Sequence, residues 1–203
     1  MSPDLPSKGS AGVSVIHFLN HRRQGEQPVL VLAGLHQPRQ PELGAHLLDA
    51  VLRNCETLLA SARAAHLPVA FVRRVAPVRS LSEPQAYPAW LKGFEPRRND
   101  MVFDVTKASC YSNIEFAQAM EYSDGHFAIA GLLGETTCLA TGIDAHHRHH
   151  RFTYLSDASA CQNNGAVPAP VFHEAVSQVM SMYGSVMESA EWCRSFMLNR
   201  GVR

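Results

Sequence analysis

The chain has 203 residues, 46% of them hydrophobic, and its 18 basic residues balance 18 acidic ones. This length is enough to bury the core of one large domain, and the balanced charge excludes the strongly basic surface that attracts nucleic acids and anionic membranes. The length also fits two small domains, but we predict a single globular domain over 1–203. We expect a small-molecule substrate or a protein partner, and no nucleic-acid or membrane partner.

The cysteines and the start of the chain indicate the cellular compartment. The five cysteines are odd in number and widely spaced, with no C-x-x-C pair, which favours reduced thiols over a disulfide framework or a structural zinc site. Residues 1–12 are rich in Ser, Pro and Gly and are expected to be flexible, with 13–27 as an N-terminal extension. Neither a signal-peptide core nor a membrane span of about 18 apolar residues is found, so we expect a cytoplasmic protein.

The first half of the chain predicts one strand, helix, strand unit. Residues 28–34 form a continuous aliphatic run, which is typical of a strand covered on both faces of a parallel sheet. Apolar residues recur at helical spacing over 42–65, and 67–72 is a second buried run, so a parallel right-handed crossover is expected. Residues 75–100 carry four prolines and predict a long loop, either a lid or binding edge or a packing loop over the sheet.

The second half continues the alternation of strands and helices. Strands are predicted at 101–105, 125–130, 152–158 and 185–187, and helices at 113–122, 136–149, 168–183 and 189–198. This order predicts a three-layer α/β/α sandwich with a mostly parallel, Rossmann-like sheet. Ligands bind outside the carboxyl ends of the strands in such sheets, and Gly34, Lys107 and the turn before Cys138 all fall at predicted strand ends.

The most informative stretch runs from Ala128 to Ala145. It predicts a buried strand, a glycine-containing turn and a helix that begins close to Cys138. Because the first N–H groups of a helix have no partner inside it, they can bind an anion or lower the pKa of a thiol. Cys138 is therefore a candidate nucleophile, and the alternative is a buried cysteine that only fills the core.

The residues after Cys138 carry a resemblance to a known family. They are Leu139-Ala140-Thr141-Gly142-Ile143-Asp144-Ala145 and, after a helical gap, Leu155-Ser156-Asp157-Ala158. Over about 28–190 the chain resembles the isochorismatase-like family of hydrolases, which includes nicotinamidases and other cysteine amidohydrolases. The resemblance implies a cofactor-independent cysteine hydrolase that cleaves a C–N bond in a small amide and forms a homodimer or homotetramer.

The resemblance also assigns roles to individual residues. It implies that Cys138 attacks the carbonyl carbon and that Lys107 stabilises the thiolate or positions the substrate. The backbone N–H groups of Gly134, Thr137 and Cys138 would hold the oxyanion. The alternative for Lys107 is that it is a surface lysine at a strand end without a role in catalysis. His173 resembles a histidine that recurs in the family.

One family residue is missing from this sequence. The family has an aspartate at the end of its first strand, where this chain has Gly34, and loss of a general base commonly costs about 10²–10⁴ in rate. His36 could substitute, because its side chain returns to the same face of an extended segment and an imidazole can deprotonate a thiol. The alternative is that His36 is a polar loop residue that takes no part in catalysis. The chain is then either an active amidase or a catalytically degenerate family member that acts as a binding or scaffolding protein. Isochorismate-type hydrolysis is less favoured, because it relies on the absent aspartate.

Two further departures concern the nucleophile turn and metal binding. The turn 131–138 is one residue longer than the usual family turn, which predicts an altered oxyanion hole. Residues 75–100 contain no histidine, so the metal motif of nicotinamidases is absent and no metal is expected. His146 and His150 have the spacing of some zinc ligands, but without an acidic or cysteine partner they favour an exposed or subunit-contact patch near the helix C-terminus.

Overall fold

The computed structural model describes residues 27–37, 45–77 and 85–198. Within these ranges, six parallel strands form one sheet in the order β3-β2-β1-β4-β5-β6. The strands are β1 (Val29–Ala33), β2 (Val69–Arg74), β3 (Met101–Val105), β4 (His126–Gly131), β5 (Arg151–Ser159) and β6 (Ser185–Met187). The predicted flexible start at 1–12 and nearly all of the extension at 13–27 lie outside the described residues.

Helices cover both faces of the sheet. They are α1 (Ala45–Ala64), α2 (Ile114–Tyr122), α3 (Leu139–His147), α4 (Ala169–Ser181) and α5 (Ser189–Leu198). One hydrophobic cluster joins α1 and α5 to one sheet face, and a second joins α2, α3 and α4 to the other. The predicted three-layer α/β/α architecture is therefore confirmed. None of the described helices is long and apolar enough to cross a membrane.

Strand β1 shows why the sequence reads as a continuous apolar run. All five of its residues are buried. Because side chains alternate across a strand, Leu30 and Leu32 enter the cluster under α1 and α5, while Val29, Val31 and Ala33 enter the opposite cluster. A strand that lies in the middle of the sheet thus needs apolar residues at every position.

The segment before β3 packs across the carboxyl end of β1. Residues 78–84 of the predicted loop lie outside the described part. Within 85–100, Trp90 forms an isolated antiparallel bridge with His36, and the Leu91 N–H donates to the Leu35 carbonyl at 3.0 Å. The loop therefore borders the sheet edge at which a ligand would bind.

The strand order places a crevice between β1 and β4. From β1 the chain continues to β2 and β3, which lie on one side of β1. Strands β4, β5 and β6 lie on its other side. The carboxyl ends of strands at such a switch point are where ligands bind in open α/β sheets. Gly34 and the turn before Cys138 follow these two strands, so the predicted site lies at this point of the fold.

Candidate active site

The junction of β1 and β4 depends on a glycine. Gly131 ends β4 with φ of +138°, and a Cβ there would collide with the Ala33 carbonyl oxygen. The next residue, Leu132, donates its N–H to that same oxygen at 3.1 Å. Only glycine allows this close approach, which holds the start of the nucleophile turn against the end of β1.

A short π-helix, Gly134–Cys138, connects β4 to α3. Its closing bond runs from the Cys138 N–H to the Leu133 carbonyl at 3.0 Å, a separation of five residues. A π turn contains one residue more than an α turn, so this geometry accommodates the extra residue that the sequence predicts here. Helix α3 begins immediately afterwards, at Leu139.

Two of the three predicted oxyanion donors are engaged within the backbone. The Cys138 N–H donates to Leu133, and the Gly134 N–H donates to the Ala160 carbonyl at 3.0 Å. The third predicted donor, Thr137, is buried in the same turn. In this conformation the turn therefore does not offer the Gly134 and Cys138 N–H groups to a substrate oxygen.

The Cys138 thiol is fully buried, with 0% of the residue exposed. Burial raises the pKa of this thiol well above its usual value, and the neighbouring Cys110 and Cys161 thiols raise it further. The Glu135 carboxyl acts in the same direction. Cys138 is therefore a neutral thiol at pH 7 in this structure, and attack would require transfer of its proton to a base.

Three consecutive side chains before Cys138 carry orphaned oxygens. Glu135 Oε2, Thr136 Oγ1 and Thr137 Oγ1 are each buried without a hydrogen-bond partner among the described residues. Buried polar atoms are nearly always paired in folded proteins, and leaving one unpaired costs about 1–3 kcal/mol. Three unpaired side-chain oxygens thus lie in the turn directly before the candidate nucleophile.

Lys107 lies just beyond β3, and its side chain is exposed. No hydrogen bond or ion pair joins Lys107 to Cys138 in the described part of the chain. The segment does reach the nucleophile helix through another residue, since the Cys110 N–H donates to Thr141 Oγ1 at 3.0 Å. Lys107 thus lies at the carboxyl end of β3, without a hydrogen bond or ion pair to the candidate nucleophile among the described residues.

His36 is half-buried, and both of its ring nitrogens are engaged. The Arg74 N–H donates to Nε2 at 3.1 Å. Because Nε2 accepts, Nδ1 carries the hydrogen and donates to the Gln37 carbonyl at 3.0 Å. Burial lowers the pKa of the His36 imidazole. Neither nitrogen is directed at Cys138, so in this arrangement the two residues are not brought together.

The sequence interpretation missed a cluster at the end of β5. Cys161 Sγ lies 3.7 Å from His173 Nδ1, and the Tyr154 hydroxyl lies 3.5 Å from the same nitrogen. A Cβ at Gly134 would lie 3.0 Å from the Cys161 sulfur, so this cluster abuts the nucleophile turn. Two signals were available: His173, which the sequence analysis names, and a cysteine three residues beyond the predicted strand 152–158.

The histidine cluster is divided between two separate contacts. His146 Nδ1 lies 3.2 Å from the Tyr183 carbonyl, whereas His150 Nδ1 lies 2.6 Å from the Tyr111 hydroxyl. Over 27–37, 45–77 and 85–198, no group of three or more His, Cys, Asp or Glu side chains could hold a metal ion. His146 is exposed, as the predicted surface patch requires.

Solved structures share this fold at low sequence identity. A cysteine hydrolase from Pseudomonas syringae pv. phaseolicola is 18% identical with a TM-score of 0.73, covering 85% of this chain and 93% of its own. An isochorismatase from Pseudomonas putida is 22% identical with a TM-score of 0.68, covering 82% and 90%. An isochorismatase-like hydrolase from Alkaliphilus metalliredigens is 10% identical with a TM-score of 0.69, covering 84% and 99%.

The sequence comparisons settle the family. A comparison with curated proteins found no match. The sequence model of the Isochorismatase domain, by contrast, matches residues 30–191, a span that contains the described sheet from Leu30 in β1 to the end of β6. With the parallel sheet, the switch-point crevice and the cysteine at the start of α3, this match confirms the resemblance, and the chain belongs to the isochorismatase family.

Proposed function

We propose that this chain is a cysteine hydrolase that cleaves the C–N bond of a small amide, with Cys138 as its nucleophile. The thiol would attack the carbonyl carbon, the amine would leave with a proton, and water would hydrolyse the resulting thioester. No cofactor takes part in this scheme. The Isochorismatase domain match and the position of Cys138 between β4 and α3 support it.

The observation that carries the proposal is the set of orphaned oxygens on Glu135, Thr136 and Thr137. Three unmet hydrogen-bonding groups in one turn are costly for folding, so a polar ligand that pairs with them gains binding energy. An amide offers both an N–H donor and a carbonyl acceptor, and the Thr hydroxyls can serve either partner. A substrate bound there would lie beside the Cys138 sulfur.

Glu135 supplies a proton acceptor in place of the missing aspartate. Its carboxyl acts electrostatically on both the Cys138 and Cys161 thiols, and its Oε2 is one of the orphaned atoms. A carboxylate close to the thiol can accept its proton during attack. Lys107, exposed beyond β3, would then contact the substrate instead of the thiol.

A catalytically degenerate, ligand-binding family member is the alternative. Three observations favour it: Cys138 is fully buried, burial raises its pKa, and the Gly134 and Cys138 N–H groups are occupied. Such a protein would use the orphaned oxygens to bind an amide without cleaving it.

A turnover assay separates the two functions. Wild type, Cys138→Ala and Cys193→Ala are assayed for ammonia or amine release from a panel of small primary and secondary amides. Cys193 is a matched control, because it is a free thiol in α5 on the opposite face of the sheet. A hydrolase loses turnover in Cys138→Ala only, whereas turnover that survives this substitution would end the proposal.

The cellular setting and assembly complete the proposal. All five cysteines are free thiols, which supports a reducing compartment such as the cytoplasm. The family resemblance supports a homodimer or homotetramer. Light scattering on the purified protein tests the assembly, and a monomeric mass at micromolar concentration would contradict it.

A further inference from the structure

A second cysteine, Cys161, faces an imidazole. Cys161 follows β5, and its sulfur lies 3.7 Å from Nδ1 of His173 on α4. The residue is 1% exposed, so this contact lies within the packed protein. Among the described residues, no side-chain base makes a comparable contact with Cys138.

The tautomer of His173 is fixed by the backbone. Its Nε2 lies 3.0 Å from the Ser156 carbonyl oxygen, and a carbonyl oxygen can only accept a hydrogen bond. Nε2 therefore carries the hydrogen, and Nδ1 presents its lone pair to the Cys161 thiol and the Tyr154 hydroxyl. A thiol, a base and a group that orients the base are the three parts of an activated nucleophile.

We propose that Cys161 and His173 form a second nucleophilic site, which abuts the same turn as Cys138 but uses a different thiol, and that it adds to small soft electrophiles of the activated-alkene class. In this step the sulfur forms a bond to the β-carbon of the alkene, and the thiol proton passes to His173 Nδ1. The resulting enolate then takes a proton from the imidazolium at its α-carbon. The imidazole returns to its neutral form, and neither an oxidant nor a leaving group is needed.

The resting pair is neutral on both sides. Burial raises the pKa of the Cys161 thiol to about 12, and the Glu135 carboxyl acts in the same direction through its charge and a hydrogen bond with the thiol. Burial lowers the pKa of the His173 imidazole, against the opposing effects of its hydrogen bond to Ser156 and of Glu174. The proton therefore moves during the attack and not before it. The Tyr154 hydroxyl on β5 also faces the ring, and Asp157 and Glu174 line the adjoining cleft.

A buried thiol elsewhere in the chain provides a matched contrast. Cys55 is also fully buried, but its Sγ donates to the Ala158 carbonyl at 3.1 Å. A carbonyl can accept that hydrogen bond but cannot take the proton. Burial raises the pKa of Cys55 too, so the two thiols share their desolvation and differ in whether a base faces them.

A surface cleft gives access to the imidazole. His173, Ser156, Asp157 and Ser177 line a cleft of about 340 Å³. Cys161 itself is 1% exposed and does not line the cleft, so only an electrophile small enough to pass the packed side chains would reach its sulfur. Acrylamide, a small uncharged activated alkene, is therefore the probe chosen in place of a bulky maleimide.

The test measures acrylamide labelling of each cysteine in the folded protein by peptide mass spectrometry at pH 6, 7 and 8. We expect Cys161 to react at least about tenfold faster than Cys55 at pH 7. We also expect its rate to change less than about threefold from pH 7 to 8, whereas a thiol that reacts as a thiolate gains almost tenfold over that interval below its pKa. A Cys161 rate that equals that of Cys55, or that rises tenfold per pH unit, would overturn the proposal.

Two variants sharpen the result. His173→Gln can still donate to Ser156 but has no base, so Cys161 labelling at pH 7 should fall about tenfold and become strongly pH-dependent. His146→Gln removes an exposed imidazole and should leave labelling unchanged. Unaltered Cys161 labelling in His173→Gln would contradict the inference, and the wild-type pH profile decides the matter if that variant fails to fold. The assay needs no amide turnover, so it stands apart from the proposed hydrolase function.

Discussion

The side chain of Leu133 occupies the space that a side chain at Gly34 would need. A Cβ at Gly34 would lie only 2.7 Å from Leu133 Cγ. Gly34 also has a φ of +76°, in the left-handed region that favours glycine. Gly34, at the position where the resemblance implies an aspartate, and the packing of the nucleophile turn are therefore complementary features of this chain.

This relationship predicts that an aspartate cannot simply be restored. Gly34→Asp should destabilise the protein by about 1–3 kcal/mol, because the new side chain is forced against a packed leucine. Urea unfolding of Gly34→Asp, Leu133→Ala and the double variant measures the coupling between the positions. We expect the double variant to be more stable than the sum of the single effects predicts, and strict additivity would contradict the packing relationship.

The orphaned oxygen of Thr137 predicts a trade-off between stability and activity. Thr137→Val keeps the shape of the side chain and removes a buried hydroxyl without a partner. The free energy of unfolding should therefore stay level or rise by about 1–3 kcal/mol. The rate of amide turnover should fall. Thr141→Val is the control, because Thr141 Oγ1 accepts from the Cys110 N–H and its loss should destabilise the protein. A destabilised Thr137→Val would show that the hydroxyl is paired after all.

Asp157 is predicted to be a structural residue within the family-like run. Its carboxylate accepts hydrogen bonds from Ser189 N–H and Ser189 Oγ, both at 2.6 Å, and from Asn54 Nδ2 at 3.2 Å. Asp157→Ala removes all three and leaves the first N–H of α5 unpaired, so we expect a loss of about 1–3 kcal/mol in chemical unfolding. Asn54→Ala should cost less. Equal losses in the two variants would contradict the capping role.

Three partly buried histidines predict that stability falls in mild acid. Burial lowers the pKa of His36, His150 and His173. As the pH falls below 6.5, these imidazoles therefore become protonated in the unfolded chain while they are still neutral in the folded chain. The free energy of unfolding should therefore be level from pH 8 to 7 and decrease as the pH falls through 6.5 toward 5.5. His36→Gln should reduce that decrease, while His147→Gln, at an exposed position, should not. Stability that rises on acidification would contradict this sign.

The sequence predicted the layers of the fold better than the contacts around the candidate site. The continuous run at β1 and the alternation of strands and helices depend on local patterns, and the structure confirms them. The π-helix at Gly134–Cys138 has no such periodic signal, since one inserted residue changes the hydrogen bonds without changing the hydrophobic pattern. The pairing of Cys161 with His173 arises only when α4 packs against the end of β5.

His36 illustrates the same limit at a single residue. Its sequence position correctly predicts that it follows β1, near the edge where ligands bind. Nδ1 bonds the adjacent Gln37, but the bond at Nε2 comes from Arg74, which belongs to β2 and lies 38 residues later in the chain. Such tertiary contacts decide whether a histidine can act as a base, and the local sequence does not encode them.

The central claim is that Cys138 forms a covalent acyl intermediate. It is tested most directly by quenching the enzyme in acid during turnover of an amide from the panel, digesting it and locating the acyl group by mass spectrometry. We predict an added mass equal to the acyl part of the substrate on the peptide that contains Cys138. An acyl group on Cys161, or on any residue other than Cys138, would contradict the claim.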